Sequence, residues 1–368
     1  MRKKISLNDF IKRNKIFLLI ISVCISNFVS AQKDTTSKIE VNKYYVIDAD
    51  GKTYCNLKVL GSTPFKVISA GYDFQSSNIL SSNIATAQTP INPSFGSPQK
   101  NTINFNQGFR FAVNLPIISK AKWMVLVGFS YLDNKYSFTS PDGLSPFPKT
   151  LNDNGLRSMD GNFTIFKPLN EKFFLLNQNN FTLSGDYSLS KLQPLSTIKF
   201  STAVLFGWKP HSRLQTAIGL SRTYRGGEQS IVPVLLYNCT FQNSKWGIES
   251  LLPSRAAVRF NANAKNIISG GFLLEGNSYY LGNLMNSNPL PAYSKLELRR
   301  SELRVRLTYE CSIHKSIWLS LQAGYRINSK FNIDEGDFYR GYSNLPYVME
   351  NKLTNPFYGT VTINFVAL

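Results

Sequence analysis

Histidine is nearly absent from this chain: His211 and His314 are the two in 368 residues. That shortage weighs against hydrolases that partner a nucleophile or base with histidine, and against metal centres with Cys/His spacing. Cysteine is scarce as well, at 4 residues. Cys24 falls in an early apolar run, and Val23 before it is not the small residue that a lipidation site wants. Cys55, Cys239 and Cys311 are an odd set without close spacing, so no disulfide framework is expected. They read as small apolar fillers. Beyond residue 31, no apolar run is long enough for a spanning helix. Acidic residues are outnumbered, 22 against 41 basic ones, for a formal net charge of +19. A nucleic-acid binder would gather that excess on one face, whereas here it is spread along the chain. No nucleic acid, metal or cofactor is expected.

What is present begins with an export signal. Arg2, Lys3, Lys4, Lys12, Arg13 and Lys15 form a basic region, an apolar run covers Ile16 to Ile25, and Val29-Ser30-Ala31 offers a cleavage site. Residues 1–31 therefore read as a cleaved signal peptide. Residues 32–64 form a polar leader in which Asp50-Gly51, flanked by Tyr44–Asp48 and Lys52–Tyr54, is a hairpin signal. It is expected to be a small periplasmic hairpin or a plug entering a lumen. It is too short for the large plug of an energised receptor.

The rest of the chain follows the pattern of Leu296 to Glu310, LELRRSELRVRLTYE. Glu302, Arg304, Arg306, Thr308 and Glu310 alternate with Leu303, Val305, Leu307 and Tyr309. Strand side chains alternate between faces, so one face is charged and the other apolar. Segments of this kind recur at the length of about 9–11 residues that a tilted strand needs to cross a bilayer. Only a closed barrel leaves no unpaired strand edge in lipid. The expected fold is an all-β transmembrane antiparallel barrel over residues 65–368, with about fourteen strands, twelve or sixteen being the alternatives. The strands are placed near 65–75, 102–115, 121–137, 155–167, 172–187, 196–208, 213–226, 230–241, 245–251, 254–262, 266–281, 294–311, 316–330 and 356–368. Connectors alternate in length: short turns at 117–120, 170–171, 210–212, 243–244, 264–265 and 313–315, long loops notably at 76–101, 139–154, 282–293 and 331–355. This is the arrangement of short periplasmic turns and long extracellular loops, and an even strand count puts both ends in the periplasm. Pro233 and Pro253 make 230–262 the least regular stretch.

The faces agree between strands. Ile103, Phe105, Phe109, Phe111 and Val113 are expected toward lipid, as are Ile317, Leu319, Leu321 and Tyr325. Aromatics reach 13% of the chain, and Trp123, Trp208, Trp246 and Trp318 sit beside short turns, where an interfacial girdle belongs. The inward charges are Arg110, Asp160, Asp186, Arg225, Arg259, Glu275, Glu302, Arg304, Arg306 and Arg326. Two readings stand. Arginines in a lumen favour anions, making a channel or transporter for small anionic solutes. Paired charges instead make a shut, structural barrel that acts through its loops. The candidate binding residues are accordingly Arg304, Arg306, Arg326, Arg110, Arg259, Glu302, Glu275, Asp160 and Asp186. Catalysis by Asp160, Asp186 or Glu275 without histidine is the least favoured use of them, and no enzyme is expected. Gly226-Gly227 lacks a P-loop frame and reads as a tight turn. The expected surroundings are outer-membrane lipid and small solutes.

Several runs also resemble a known family: Gly207-Trp208-Lys209, SRTYRGGE (221–228), PVLLYN (233–238), WGIESLLPSR (246–255), EGNSYYL (275–281), LELRRSELRVRLTYE and IWLSLQAGYRIN (317–328). They are similar to a Bacteroidetes-type outer-membrane β-barrel family that carries only a domain-of-unknown-function label. The resemblance covers roughly residues 65–368. It implies location and fold, and brings no reaction, ligand or functional residue.

Overall fold

Alternating segments become strands that pair antiparallel with their chain neighbours, and the ring closes where the first meets the last. The computed structural model describes residues 45–47, 51–287, 293–335 and 346–367. The expected signal peptide and the start of the leader lie outside the described residues. A small hairpin comes first, β1 (Tyr45–Ile47) with β2 (Thr53–Cys55). The barrel strands are β3 (Lys66–Gln75), β5 (Gln99–Lys120), β6 (Trp123–Phe138), β7 (Leu156–Pro168), β8 (Phe173–Gly185), β9 (Lys199–His211) and β10 (Leu214–Thr223). They continue with β11 (Ser230–Thr240), β12 (Trp246–Leu252), β13 (Arg255–Asn263), β14 (Asn266–Tyr280), β15 (Glu297–His314), β16 (Ile317–Asp334) and β18 (Phe357–Val366). β18 pairs with β3 and β3 with β5, so among the described residues fourteen antiparallel strands form a closed ring. Two short strands, β4 (Asn78–Ser82) and β17 (Asn351–Leu353), continue β3 and β18 beyond the ring and pair with each other.

The outward face carries Tyr72, Phe109, Phe129, Val204, Phe206, Ile218, Leu220, Val258, Val305, Leu307 and Ile363, all exposed. Apolar exposure on this scale has no place in water, and around a closed barrel it is a lipid-facing band. Trp123, Trp208 and Trp246 are exposed at the short-turn ends. Trp318 departs from the expected girdle: it points inward and is 6% exposed, against Ile267 and Val366. Its even number gives it the inward parity of Ser320 and Gln322. Asn177, Asn179 and Thr202 face outward but satisfy one another, with Thr202 Oγ1 donating to Asn179 Oδ1 at 2.8 Å. No orphan polar group is thereby left in lipid.

Several boundaries differ from expectation, β5 at both of its ends. β5 runs to Lys120, so the turn expected at 117–120 is strand and the chain reverses at 121–122. β5 also starts earlier, and a register shift between Ile103 and Phe105 reverses its parity there. Ile103, expected toward lipid, is instead fully buried. The loops 76–101, 139–154, 282–293 and 331–355 hold β4, helix α1 (Pro146–Asn154), helix α2 (Gly282–Ser287) and β17. Pro146 opens α1, and Gly155 closes it at φ +68°, where any side chain would strike the Asn134 carbonyl.

The described parts of these loops pack together at the long-loop end. Leu80, Phe95, Ile103, Phe138, Phe147, Leu151, Leu156, Leu284, Leu298, Phe331 and Ile333 belong to one buried apolar cluster. The outer ends of β14 and β15 turn into it: residues 297–302 are buried on both faces, and Asp186 N donates to Tyr280 O at 3.1 Å, joining β14 to the end of β8. Phe147 packs on Phe331 with ring centroids 5.9 Å apart. Phe147→Ala is expected to weaken this cap by about 3–5 kcal/mol. The measurement is limited proteolysis of assembled protein, in which the outer loops should be cut faster while the ring stays intact.

Candidate functional site

Parity places the charges. β3 turns Ser69, Gly71, Asp73 and Gln75 inward because Tyr72 and Phe74 must face lipid, and β15 likewise turns in Glu302, Arg304 and Arg306. Asp73 becomes the hub. Its carboxylate accepts from Arg110 Nε at 2.6 Å, from Arg304 Nη1 at 3.4 Å, from Arg326 Nη2 at 3.5 Å and from Thr360 Oγ1 at 2.8 Å. Arg304 also reaches Glu302 at 2.5 Å and Glu275 at 3.1 Å, and Arg300 bonds Glu302 at 2.8 Å. Arg110 Nη2 meets Glu275 Oε1 at 2.8 Å. That pair spans the lumen, since β3, β18, β16 and β15 stand between β5 and β14 in the ring. The Tyr358 ring lies 4.9 Å from Arg326 and 5.3 Å from Arg304, a cation–π contact with both.

The layer is not uniformly dry. The Asp73, Glu302 and Arg326 side chains are about 1% exposed, whereas Arg110 keeps 30% and Glu275 25%. Buried charges must be paired to be tolerated, and the first group meets that demand. The second faces water inside the barrel. Of the expected binding residues, Arg110, Glu275, Glu302, Arg304 and Arg326 come together here. Arg306 stands beside them, donating to Gln322 at 3.3 Å.

The others do not join. Arg259 binds Glu249 at 2.9 Å, and Glu249 also accepts from the backbone and hydroxyl of Thr63, so this pair holds the leader. Asp160 accepts from Thr182, Ser130, Ser158 and Asn180, with no ion pair among the described residues. Asp186 and Arg225 were expected on strands facing inward. Instead β8 stops at Gly185, and Asp186 accepts from the Asn283 and Leu284 amides at 3.0 and 2.9 Å, fastening α2. Burial pushes its carboxyl up to about 6, against the pull of those amides. β10 stops at Thr223, which leaves Arg225 exposed on the following loop, donating to Leu274 O at 3.3 Å.

Sequence reading missed five contributors. Asp73 lay in an expected strand with inward parity, so its signal was available. Arg299, Arg300 and Glu297 sit where β15 is buried on both faces, and alternation carries no information there. Glu297 gathers Lys199 and Lys295, each at 2.7 Å, and Arg299 at 3.2 Å. Lys209 is the fifth.

Lys209 anchors the leader across the short-turn end. Its ammonium donates to Asn56 O at 2.8 Å, Asn56 Oδ1 at 3.1 Å and Lys58 O at 2.6 Å. Leu60 N bonds Ser212 O at 2.8 Å, and Asn261 donates to Gly61 O at 2.9 Å. Below, Cys55 and Leu57 pack on Phe166, Phe174, Leu176 and Leu205. Residues 45–47 and 53–55 pair as a small hairpin, and residues 56–63 hydrogen-bond to the barrel strands. Cys55, Cys239 and Cys311 are free thiols. Burial pushes the Cys55 thiol up to about 11, which keeps it protonated. Among the described residues no cluster of His, Cys, Asp and Glu could hold a metal.

Similar solved structures include an outer-membrane channel from Pseudomonas putida F1, 12% identical, with 83% of this chain and 97% of that one covered at a TM-score of 0.37. The Pseudomonas putida toluene transporter TodX is 11% identical over 83% and 91%, at 0.34. The outer-membrane phospholipase A of Escherichia coli is 6% identical over 83% and 100%, at 0.29. Likenesses this distant say nothing of function. No curated protein matches the chain. A family model does match, over residues 99–366, which is most of the barrel: the chain belongs to the domain-of-unknown-function family DUF6268.

Proposed function

We propose that this protein is an outer-membrane barrel, exported behind a cleaved signal peptide, that serves as a gated passage for small solutes with a lean toward anions. Its state here is closed, by the leader at the periplasmic end and the apolar cap at the extracellular end. The observation that carries the reading is the water-reached part of the charged layer, Arg110 at 30% and Glu275 at 25% exposure. A lumen meant only as a strut has no need of wet charges, and arginines lining water draw anions. The surroundings are outer-membrane lipid, with no nucleic acid, and the Bacteroidetes-type origin suggested by the sequence belongs to this proposal. Catalysis is left out of it: His211 ends β9 and His314 ends β15, both at short turns away from the charged layer.

The gate should respond at Lys209. Lys209→Met removes three bonds to the leader while keeping the stem, and is expected to raise the open time of the folded full-length protein in a planar bilayer. A salt gradient should then give a reversal potential on the anion side. Silence from both the native and Lys209→Met proteins, each shown to be folded, would reject the passage. The second reading, a permanently closed barrel working through its outer surface, would then stand. The buried apolar cap specifically favours it, because opening that end means breaking a packed core.

A further inference from the structure

The barrel wall is not level. β12 and β13 reach outward only to their turn at 253–254, where Leu274 N bonds Ser254 O at 2.7 Å, while β14 continues to Tyr280. The β10–β11 loop leans over this low stretch: Ser301 Oγ donates to Arg225 O at 3.2 Å, and Gly227 lies on the Arg300 backbone. Three arginines border it. Arg255 opens β13 and shares the inward parity of Arg259. Arg225 hangs from the loop. Arg306 stands one strand beyond β14, in register with Gly271 and Gly324 on either side and Ala257 further along. Gly271 and Ala257 put no bulky side chain on one flank of it, while the Tyr358 ring stands over Gly324 on the other. Arg225 and Arg306 are both close enough to Arg255 to repel it.

None of the three has a carboxylate partner among the described residues. By contrast Arg110, Arg259, Arg299, Arg300, Arg304 and Arg326 all form ion pairs. The carboxylate within electrostatic range of Arg255, Glu249, is occupied by Arg259 and Thr63. Three gathered like charges are unfavourable unless an opposite charge joins them. Arg225 and Arg255 are exposed and Arg306 half-buried, so a ligand can reach all three. Guanidinium forks match the oxygens of a phosphate in paired bonds.

We propose that Arg225, Arg255 and Arg306 form a binding site for a phosphate group at the low stretch of wall between β11 and β14. The site deepens, and rests on, the reading of an anion-favouring lumen. Its phosphate has two sources, a free ion in the lumen or the headgroup of a lipid beside the lowered wall.

The test uses full-length folded protein in zwitterionic detergent. Inorganic phosphate is titrated by calorimetry, and retention of an anionic phospholipid is followed by native mass spectrometry. Each arm compares native protein with Arg255→Gln and Arg306→Gln. Losing one charge-assisted contact is expected to weaken the phosphate-bearing probe about tenfold. Loss in the phosphate arm identifies a free-ion site, and loss in the lipid arm alone a headgroup site. Folded protein that binds neither probe, or that shows no loss in either arm on these substitutions, overturns the site. Conductance is scored separately, so a silent barrel whose phosphate binding depends on Arg255 rejects the passage and keeps the site.

Discussion

Val305→Arg is expected to assemble poorly, its barrel less stable than the native one by about 2–4 kcal/mol, the usual cost of a lipid-facing arginine near the bilayer midplane. Val305 is 47% exposed, midway along the outward run of β15 between Phe272 and Tyr325. A guanidinium there has no carboxylate to meet and must thin the bilayer or snorkel. Val305→Phe is the control, larger but apolar, and should assemble as the native chain does. The measurement is the folded fraction and unfolding midpoint in lipid vesicles. Equal assembly of the arginine variant would mean that lipid does not lie on this face.

Asp73→Asn should cost about 3–5 kcal/mol, because it leaves buried guanidiniums without their shared carboxylate. Arg326 is most affected: its two partners from β3 are Asp73 and Gln75, the latter at 3.0 Å. The amide keeps the size of the carboxylate, so the loss is electrostatic rather than a cavity. Adding Arg326→Met to Asp73→Asn should return part of the stability, since a buried pair is often replaceable by apolar groups when both partners go. Denaturant unfolding of the four-member cycle in detergent gives the coupling. A single Asp73→Asn change within about 0.5 kcal/mol of the native protein, the scatter of ordinary surface substitutions, would show that the hub holds nothing.

The ring was legible in the sequence because lipid on one side and a polar lumen on the other impose period 2, and β6 through β16 keep it. Inward Arg110, Glu275, Glu302, Arg304 and Arg326 follow from the same rule. What was not legible has physical causes. At the bulge near Ile103 one residue of slip reverses the parity of the side chains that precede it. In LELRRSE, Leu298, Arg299 and Arg300 are buried on both faces because the outer end of β15 lies inside the cap. There a strand has two protein neighbours instead of lipid and lumen, and period 2 carries no assignment. The leader's role escaped for another reason. Its polar composition suits a solvated tail, and its backbone partners, Asn170, Lys209, Ser212, Thr240, Glu249 and Asn261, all lie far away in sequence.

The seam between β3 and β18 has a consequence for the order of events during biogenesis. Asp73 and Thr360, which bond across it, are 287 residues apart in sequence. Contacts so distant form late, since the intervening chain must first be ordered. The leader directly precedes β3, yet it docks on β9, β11, β12 and β13 nearly a half-turn round the ring. It can settle only once the wall between has curved to meet it. A stretch of chain that precedes every barrel strand is thus among the last to find its place, and a docked leader doubles as a certificate that the wall from β5 to β8 has curved.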